Sequence, residues 1–306
     1  AAYAAAAQGR ALRARPAGLQ IVSDYVQLTK PRIVALLVIT AYAAMIVAVQ
    51  GMPEPLTATV TLLGLALSAG GANAINMWYD QDIDRVMLRT QHRPVPSGRV
   101  KPRSALLFGL ALQAVSLPLM GFTVGWLAAW LSFAGFAYYV AIYTMWLKRR
   151  SPQNIVIGGG AGAFPPLVGW AAATGTIGWP AVIMFLIVFF WTPPHFWSLA
   201  LYRNEDYARA HVPMMPVAYG PRTTKRQILG YTLVLLITSL LLSLTGYVGW
   251  FYTAVAVLLG IGFVSAAVWL LRSDDGRTEQ AQRTFYFSLL YLTVIFAAMV
   301  VDAGVL

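Results

Sequence analysis

Nine stretches of about 20 mostly apolar residues constrain the fold of this sequence more than any other feature. They begin near Pro31, Leu56, Arg103, Val124, Asn154, Ile177, Gln227, Gly249 and Phe285. About 20 apolar residues in a helix span the hydrocarbon core of a bilayer. With 58% hydrophobic and 11% charged residues, the chain is also too apolar for a soluble domain of 306 residues. The sequence therefore predicts an all-α, polytopic membrane protein with nine transmembrane helices.

The basic residues predict how this bundle is oriented. All 22 Lys and Arg residues lie in the N-terminal tail, in the connections after helices two, four, six and eight, or at the helix ends that border them. Under the positive-inside rule these segments are cytoplasmic. We therefore expect a cytoplasmic N-terminus and an outward C-terminus at Leu306. The short N-terminal tail favours a bacterial inner membrane as the location, with a mitochondrial inner membrane as the alternative. Topology then explains the net charge of +11, so nucleic acid is not an expected partner.

We divide the chain into a cytoplasmic tail, residues 1–30, and one membrane domain, residues 31–306. The tail begins with an acid-free stretch rich in Ala and Arg, typical of a short cytosolic tail or of a transit-sequence fragment, and we favour the tail. The absence of cysteine excludes disulfides, thiolate metal sites and a cysteine nucleophile. Two cytoplasmic connections, about 80–102 and 203–226, are long enough to suggest a functional loop in each half of a weak repeat.

The end of the second helix carries a set of oxygen ligands. Asn76, Asp80 and Asp84 are each four residues apart, so they share one helical face, with Asn73 one turn deeper and Asp82 off that face. Carboxylate and amide oxygens at a membrane boundary suit Mg²⁺ shared with substrate phosphates. The alternative, acids that balance nearby arginines, remains our interpretation of Asp82.

Arginines follow this set directly. The planar guanidinium groups of Arg89 and Arg93 can bind either a diphosphate or the propionates of a porphyrin. A solvated basic loop explains the neighbouring Arg99, Lys101 and Arg103 equally well.

The sixth helix carries a second polar set. Its Pro193-Pro194 pair predicts a kink or break, and with it a pocket near His195. The imidazole there can coordinate iron, act as an acid or base, or donate to a freed carbonyl. Asp206 with Arg203 is either a second magnesium or diphosphate contact, or an exposed salt pair.

The fifth helix begins with a glycine-rich segment that is not a nucleotide-binding loop, because it lacks the lysine and the strand of such loops. Its small residues predict close approach to a neighbouring helix, with Asn154 as a polar contact at the cytoplasmic end.

These motifs resemble a known family. The Asn76-x3-Asp80-x3-Asp84 pattern resembles the first aspartate motif of the UbiA superfamily of intramembrane prenyltransferases. Three further segments are similar to the haem O synthase branch, the protohaem IX farnesyltransferases: Arg89 to Pro94, Asn154 to Trp170, and Thr192 to Trp197. The pair Asp206-Tyr207 with the stretch Pro213 to Pro216 extends the likeness. Ala210 replaces the second aspartate of the superfamily's other motif, and His211 stands where this branch has glycine.

The resemblance implies a UbiA-type bundle that transfers farnesyl from farnesyl diphosphate to a vinyl group of haem B, with water added, to give haem O. It implies Mg²⁺ held by Asn76, Asp80, Asp84 and Asp206, and substrate contacts from the residues Asn73, Arg89, Arg93, Asn154, His195 and Arg203. Haem A synthase or terminal oxidase assembly factors are the implied protein partners, besides the lipid bilayer. The alternatives are prenylation of a quinone precursor or chlorophyll-like ring, a transporter, and a haem-binding assembly protein.

Overall fold

The computed structural model describes residues 17–276 and 278–304, and within these ranges the regular structure is entirely helical. Nine helical segments there are long and apolar enough to cross a membrane. The predicted fold class and number of spans are therefore confirmed. Residues 1–16, which make up half of the predicted tail, lie outside the described part of the chain.

The spans follow one another with short connections. They are Pro31–Val49 (α2), Pro55–Tyr79 (α3), Pro102–Thr123 (α5), Trp126–Ala137 (α6) continued by a π-helix at Tyr138–Leu147, Asn154–Gly158 (α7) continued by Gly160–Thr174 (α8), Trp179–Tyr202 (α9), Met215–Ser243 (α11), Trp250–Arg272 (α12) and Glu279–Gly304 (α13). Three shorter helices flank them at the basic end: Ala17–Leu28 (α1), Gln81–Val86 (α4) and Asn204–Arg209 (α10).

Two spans begin earlier than the hydropathy predicts. The seventh begins at Met215 rather than near 227, and the ninth at Glu279 rather than near 285. In α11 the extra turns are basic and pass through a break at Gly220, whose φ of 79° lies in the left-handed region that glycine tolerates. Much of the predicted 203–226 loop is consequently helical, because a helix can extend past the apolar window that a bilayer requires.

The bundle closes around α2, which packs against α3, α8 and α13. Two glycine contacts explain how the helices come so close. A methyl group on Gly71 of α3 would stand 2.6 Å from the carbonyl oxygen of Gly109 in α5, and Gly169 of α8 faces the Ala41 backbone of α2 just as closely. The close approach expected from the glycine-rich segment is therefore present.

Tryptophans mark the end of the bundle opposite the basic connections. Trp126, Trp179 and Trp250 are the first residues of spans four, six and eight, and they are 44%, 79% and 76% exposed. Indole rings favour the headgroup level of a bilayer. The two ends of the bundle therefore differ, one rich in arginine and lysine and the other carrying aromatic anchors.

Candidate active site

The three predicted ligands at the end of α3 lie together and are buried. Asn76, Asp80 and Asp84 are 2%, 0% and 2% exposed, whereas Asp82 is exposed as expected. Although α3 ends at Tyr79, the backbone N–H of Asp80 still donates to the Asn76 carbonyl, and that of Asp84 to the Asp80 carbonyl. The helical spacing thus continues into α4, and the oxygen ligands share one face.

Four cationic side chains surround these ligands. Lys30 Nζ donates to Asn76 Oδ1 at 2.8 Å, Arg93 pairs with Asp84 Oδ2 at 2.7 Å, and Lys148 pairs with Asp80 Oδ2. Arg149 approaches the other Asp80 oxygen at 3.6 Å. These interactions offset the cost of burying carboxylates at the membrane boundary.

The two lysines differ in what their surroundings do to them. Burial, reinforced by Arg93 and Lys148, holds the pKa of Lys30 well below its usual value. Burial also acts to lower the pKa of Lys148, but Asp80 and Tyr143 outweigh it and the pKa is raised. Lys148 is therefore the firmer cation of the two.

One oxygen in this cluster has no hydrogen-bond partner. Asp80 Oδ1 is buried and accepts no hydrogen bond from the described residues, while Oδ2 accepts from Asn76 Nδ2 at 2.7 Å. A buried carboxylate oxygen without a donor is unfavourable unless something else neutralises it. The all-oxygen donor set and this unpartnered atom fit a hard divalent cation such as Mg²⁺.

Asp82 has a structural role beside the cluster. Its two oxygens accept from Arg149 at 2.7 Å each, and this bidentate pairing lowers the pKa of Asp82. Arg149 also donates to the Tyr79 carbonyl and lies over the Tyr79 ring. The pair therefore fastens the segment after the π-helix to the end of α3.

The π-helix brings further groups to the cluster. Asn76 Nδ2 donates to Thr144 Oγ1 at 3.1 Å, and the rings of Tyr139 and Tyr143 lie 5.3 Å apart. Both tyrosines are close enough to interact electrostatically with Asp80. Wide helical turns of this kind are frequent at functional sites. Neither this segment nor the roles of Lys30, Lys148 and Arg149 followed from the sequence, which placed these cations in the basic tail and connections.

The other predicted site residues near this cluster, Asn73, Asn154 and Arg89, differ in what they contact. Asn73 donates to the Thr29 carbonyl at 3.0 Å, and so holds the turn that delivers Lys30. Asn154 donates to the Lys148 carbonyl, while its Oδ1 is buried without a partner. Arg89 is exposed and within electrostatic range of Tyr143.

The two polar segments of the sequence meet at Asp206. This buried carboxylate accepts from the Leu88 backbone N–H at 3.4 Å, which joins the two long connections at the basic end of the bundle. Its ion-pair partner is Arg209, at 2.5 Å, rather than Arg203. The predicted pairing of Asp206 with Arg203 is wrong, because Arg209 follows one turn later on α10 while the Arg203 guanidinium lies over the Tyr202 ring.

Of the kink or break predicted at Pro193-Pro194, the break is absent: the helix α9 runs from Trp179 to Tyr202 with both prolines inside it. The prolines leave the carbonyls of Phe189 and Phe190 without their usual N–H donors four residues later. Proline is tolerated inside membrane helices that pack against other helices, and α9 packs against α8, α11 and α13.

His195 lies buried between α9 and α13, stacked between Trp191 and Phe285 at centroid distances of 4.3 and 4.6 Å. Its Nδ1 lies 2.7 Å from Ser288 Oγ, whose single proton is donated to the Phe285 carbonyl. The assignment that satisfies both contacts makes Nδ1 the donor to Ser288 and leaves Nε2 with its lone pair. This tautomer suits a metal ligand or a base.

A cavity of about 410 Å³ opens at the same end of the bundle, between α9, α10, α11, α12 and α13. Asp206 and Leu88 line one side of it, so it adjoins the first cluster, while His195 is not among its lining residues. The cavity lies further along α9, where that helix ends, and the pocket expected around His195 stays a prediction.

Comparison with known proteins decides the family. The model of the UbiA prenyltransferase family matches residues 37–290. The chain belongs to the UbiA prenyltransferase family. The chain also resembles two bacterial proteins named protoheme IX farnesyltransferase. The one from Symbiobacterium thermophilum is 59% identical over 92% of this chain and 95% of its own length, and the one from Cyanothece is 52% identical over 93% and 88%.

Solved structures of this family share the fold. A digeranylgeranylglyceryl phosphate synthase superposes with a TM-score of 0.78 at 21% identity, covering 93% of this chain and 99% of its own. A UbiA homologue from Archaeoglobus fulgidus bound to DMAPP and Mg²⁺ gives 0.64 at 18% identity, covering 90% and 99%. The chain is therefore a UbiA-type membrane prenyltransferase, which removes the transporter and assembly-protein alternatives.

Proposed function

We propose that this protein transfers the farnesyl group of farnesyl diphosphate to a vinyl group of haem B, in a magnesium-dependent reaction that adds water and gives haem O. The observation that carries the proposal is the match, over more than nine-tenths of the chain, to relatives named protoheme IX farnesyltransferase. The carboxylate cluster supports the donor half of the reaction.

The cluster is suited to a diphosphate that arrives with a metal ion. Asn76, Asp80 and Asp84 would hold Mg²⁺, with the unpartnered Asp80 Oδ1 as one ligand. Bound there, the ion would neutralise charge that develops on the leaving diphosphate. Four cations stand against three carboxylates, counting Asp82. Because an alkyl diphosphate carries more charge than one Mg²⁺ offsets, a surplus of basic groups is what this ligand requires.

The side chains act by binding and orienting the donor. Lys30, Arg93 and Lys148 stabilise the diphosphate as the bond between its oxygen and C1 of farnesyl breaks. The terminal vinyl carbon of the acceptor forms the new bond to C1. Water then adds to the inner vinyl carbon and releases a proton. Tyr139 and Tyr143 line the approach with ring faces that favour a passing allylic cation.

Orientation in the membrane follows from the same proposal. The basic end of the bundle, which holds the cluster, faces the cytoplasm of a bacterial cell, where a water-soluble diphosphate group has access. The exposed Trp126, Trp179 and Trp250 then anchor the outer face. The described chain reaches Gly304 at that outer end.

A product analysis tests the proposal. The detergent-purified protein is incubated with Mg²⁺, farnesyl diphosphate and either haem B or 4-hydroxybenzoate, a quinone precursor. We expect haem O by mass from the first mixture and no prenylated product from the second. Prenylation of the quinone precursor with no change in haem B would contradict the acceptor and leave the family chemistry intact.

A further inference from the structure

We infer that the 410 Å³ cavity beside Asp206 is the subsite for the carboxylate groups of the acceptor, with Arg203 as its principal cation. The inference rests on the proposed function, since it names where the propionate edge of haem B would lie. It divides the basic residues of the cytoplasmic face between the two substrates.

The shape and lining of the cavity fit the edge of a large amphipathic ring. Its volume is in the range of small-molecule sites. The lining combines apolar side chains, namely Leu88, Leu201, Leu270 and Ala281 with the Tyr202 ring, and charged ones, namely Arg203, Glu205, Asp206, Arg209, Lys225 and Asp275. A porphyrin with two propionates likewise combines an apolar plane with a charged edge.

Of the three cationic residues that line the cavity, Arg203 is the one without a carboxylate partner among the described residues. The Arg209 guanidinium is paired with Asp206 at 2.5 Å, and Lys225 is buried, with bonds to Ser273 and to Asp275 at 2.9 Å. No hydrogen bond or ion pair joins the side chain of Arg203 to another described residue; its guanidinium carbon lies 5.2 Å from the centroid of the Tyr202 ring. A guanidinium whose neighbour is an aromatic ring keeps its N–H groups free for bidentate contact with a carboxylate.

The first cluster cannot take that edge as readily. Arg93 is paired with Asp84, Lys148 with Asp80, and Arg149 with Asp82. These cations are committed to the carboxylates that would hold magnesium. Mg²⁺ arriving with the diphosphate would neutralise Asp84 and free Arg93 for the phosphate oxygens, so we assign Arg93 to the diphosphate rather than to a propionate.

The cavity is also aligned with His195. Seven residues separate His195 from Tyr202 on α9, which is two turns, so both side chains lie on one face about 10 Å apart along the axis. Phe285 of α13 contacts both rings, His195 at 4.6 Å and Tyr202 at 5.8 Å. A ring held by its carboxylates in the cavity would therefore lie one side chain, Phe285, away from His195.

Two further residues that line the cavity, Asn204 and Glu205, help in designing a test of the subsite. Glu205 lines the cavity and is exposed, so its charge opposes a bound carboxylate. Asn204 Oδ1 is buried without a hydrogen-bond partner and offers an acceptor to a protonated group or a water. Neutralising Arg203 should therefore weaken the binding of a carboxylate ligand, and neutralising Glu205 should strengthen it.

The experiment compares haem B with its dimethyl ester, which keeps the ring and loses both charges. Binding to the full-length protein in detergent is followed through the Soret band, for the wild type, Arg203→Gln and Glu205→Gln. Arg226→Gln is the matched control, because Arg226 is exposed on α11 and does not line the cavity.

We expect Arg203→Gln to weaken haem B binding about tenfold or more and to leave the ester unchanged, as for a lost charge-assisted hydrogen bond. Glu205→Gln should strengthen haem B binding, and Arg226→Gln should match the wild type. Equal losses for haem B and ester in Arg203→Gln, or no loss at all, would overturn the subsite.

Failure of the subsite and failure of the proposed function give different results. A wild type that makes haem O while Arg203→Gln binds haem B normally would remove the subsite and keep the function. A wild type that binds haem B through Arg203 but never farnesylates it would keep the subsite and remove the function.

Discussion

The polar segments after spans two and six lie four spans apart in the chain, and they are built differently. The first holds three carboxylates and four cations, with Asp80 fully buried; three of the cations pair with carboxylates, and Lys30 bonds to Asn76. The second holds the buried Asp206, an exposed Arg203 and a cavity lined by both apolar and charged residues. Under the proposed function, this difference assigns the charged donor to the first segment and the amphipathic acceptor to the second.

The largest expected effect is the difference in activity loss between substitutions at Asp80 and at Asp206. Asp80→Asn removes a metal ligand and should reduce farnesyl transfer by on the order of 10³-fold, the scale of losing a main electrostatic contact in the transition state. Asp206→Asn keeps the Leu88 contact geometry and should cost far less. Single-turnover rates with saturating substrates measure both, and equal losses would mean that each half holds a metal ion.

Exchanging one arginine in each region should affect different substrates. Arg93→Gln is expected to raise KM for farnesyl diphosphate about tenfold, and Arg203→Gln to raise KM for haem B by a similar factor. Steady-state kinetics with each substrate varied in turn give the four values. If both variants changed only the farnesyl diphosphate KM, the two regions would share one ligand.

A smaller effect concerns Lys148, which pairs with Asp80. Lys148→Gln removes a positive charge next to the expected metal ligands, so it should strengthen Mg²⁺ binding several-fold in the absence of diphosphate and weaken farnesyl diphosphate binding. Calorimetric titration with each ligand checks the two directions. The exposed Lys101→Gln serves as the control and should change neither affinity.

The smallest effect concerns the turn after α10. His211 has φ of 52°, a left-handed conformation that costs a residue with a side chain about 1 kcal/mol or more. His211→Gly should therefore raise the apparent melting temperature by a few degrees. Ala210→Gly, at a φ of −84°, should lower it, since only backbone entropy changes there. A lower melting temperature for His211→Gly would mean that its side chain makes a compensating contact.

One departure from the family pattern, His211 in place of glycine, lies in this turn. Glycine is the residue expected at position 211 because the chain adopts a positive φ there. The sequence alone gave no reason for that expectation, since a backbone angle is not visible in a string of side chains. The reason His211 is retained does not follow from its contacts.

The spans and the carboxylate face could be predicted because both depend on local periodicity. Apolar length predicts a span, and a spacing of four predicts a shared helical face for Asn76, Asp80 and Asp84. The cations could not be predicted in this way. Lys30 lies 46 residues from Asn76 and Lys148 lies 68 residues from Asp80, so only the packing of distant helices brings them together.

The wrong predictions around the sixth span have a similar cause. A proline pair breaks an isolated helix, but α9 is packed against α8, α11 and α13. The Ser288 contact that sets the tautomer of His195 is 93 residues away. Asp206 pairs with Arg209 rather than with Arg203 because both lie on α10, one helical turn apart. The sequence predicted a loop there, so this pairing was not expected.

The measurement that tests the central claim most directly is haem O formation, by mass, as a function of Mg²⁺ concentration in the wild type, Asp80→Asn and Asp82→Asn. The two variants lose the same charge two residues apart, one from the buried face and one from the exposed side. We predict that product from the wild type rises with Mg²⁺ and disappears with chelator, that Asp82→Asn keeps this dependence, and that Asp80→Asn makes almost none at any concentration. Undiminished haem O in chelator, or in Asp80→Asn, would contradict the claim that this cluster binds magnesium and diphosphate.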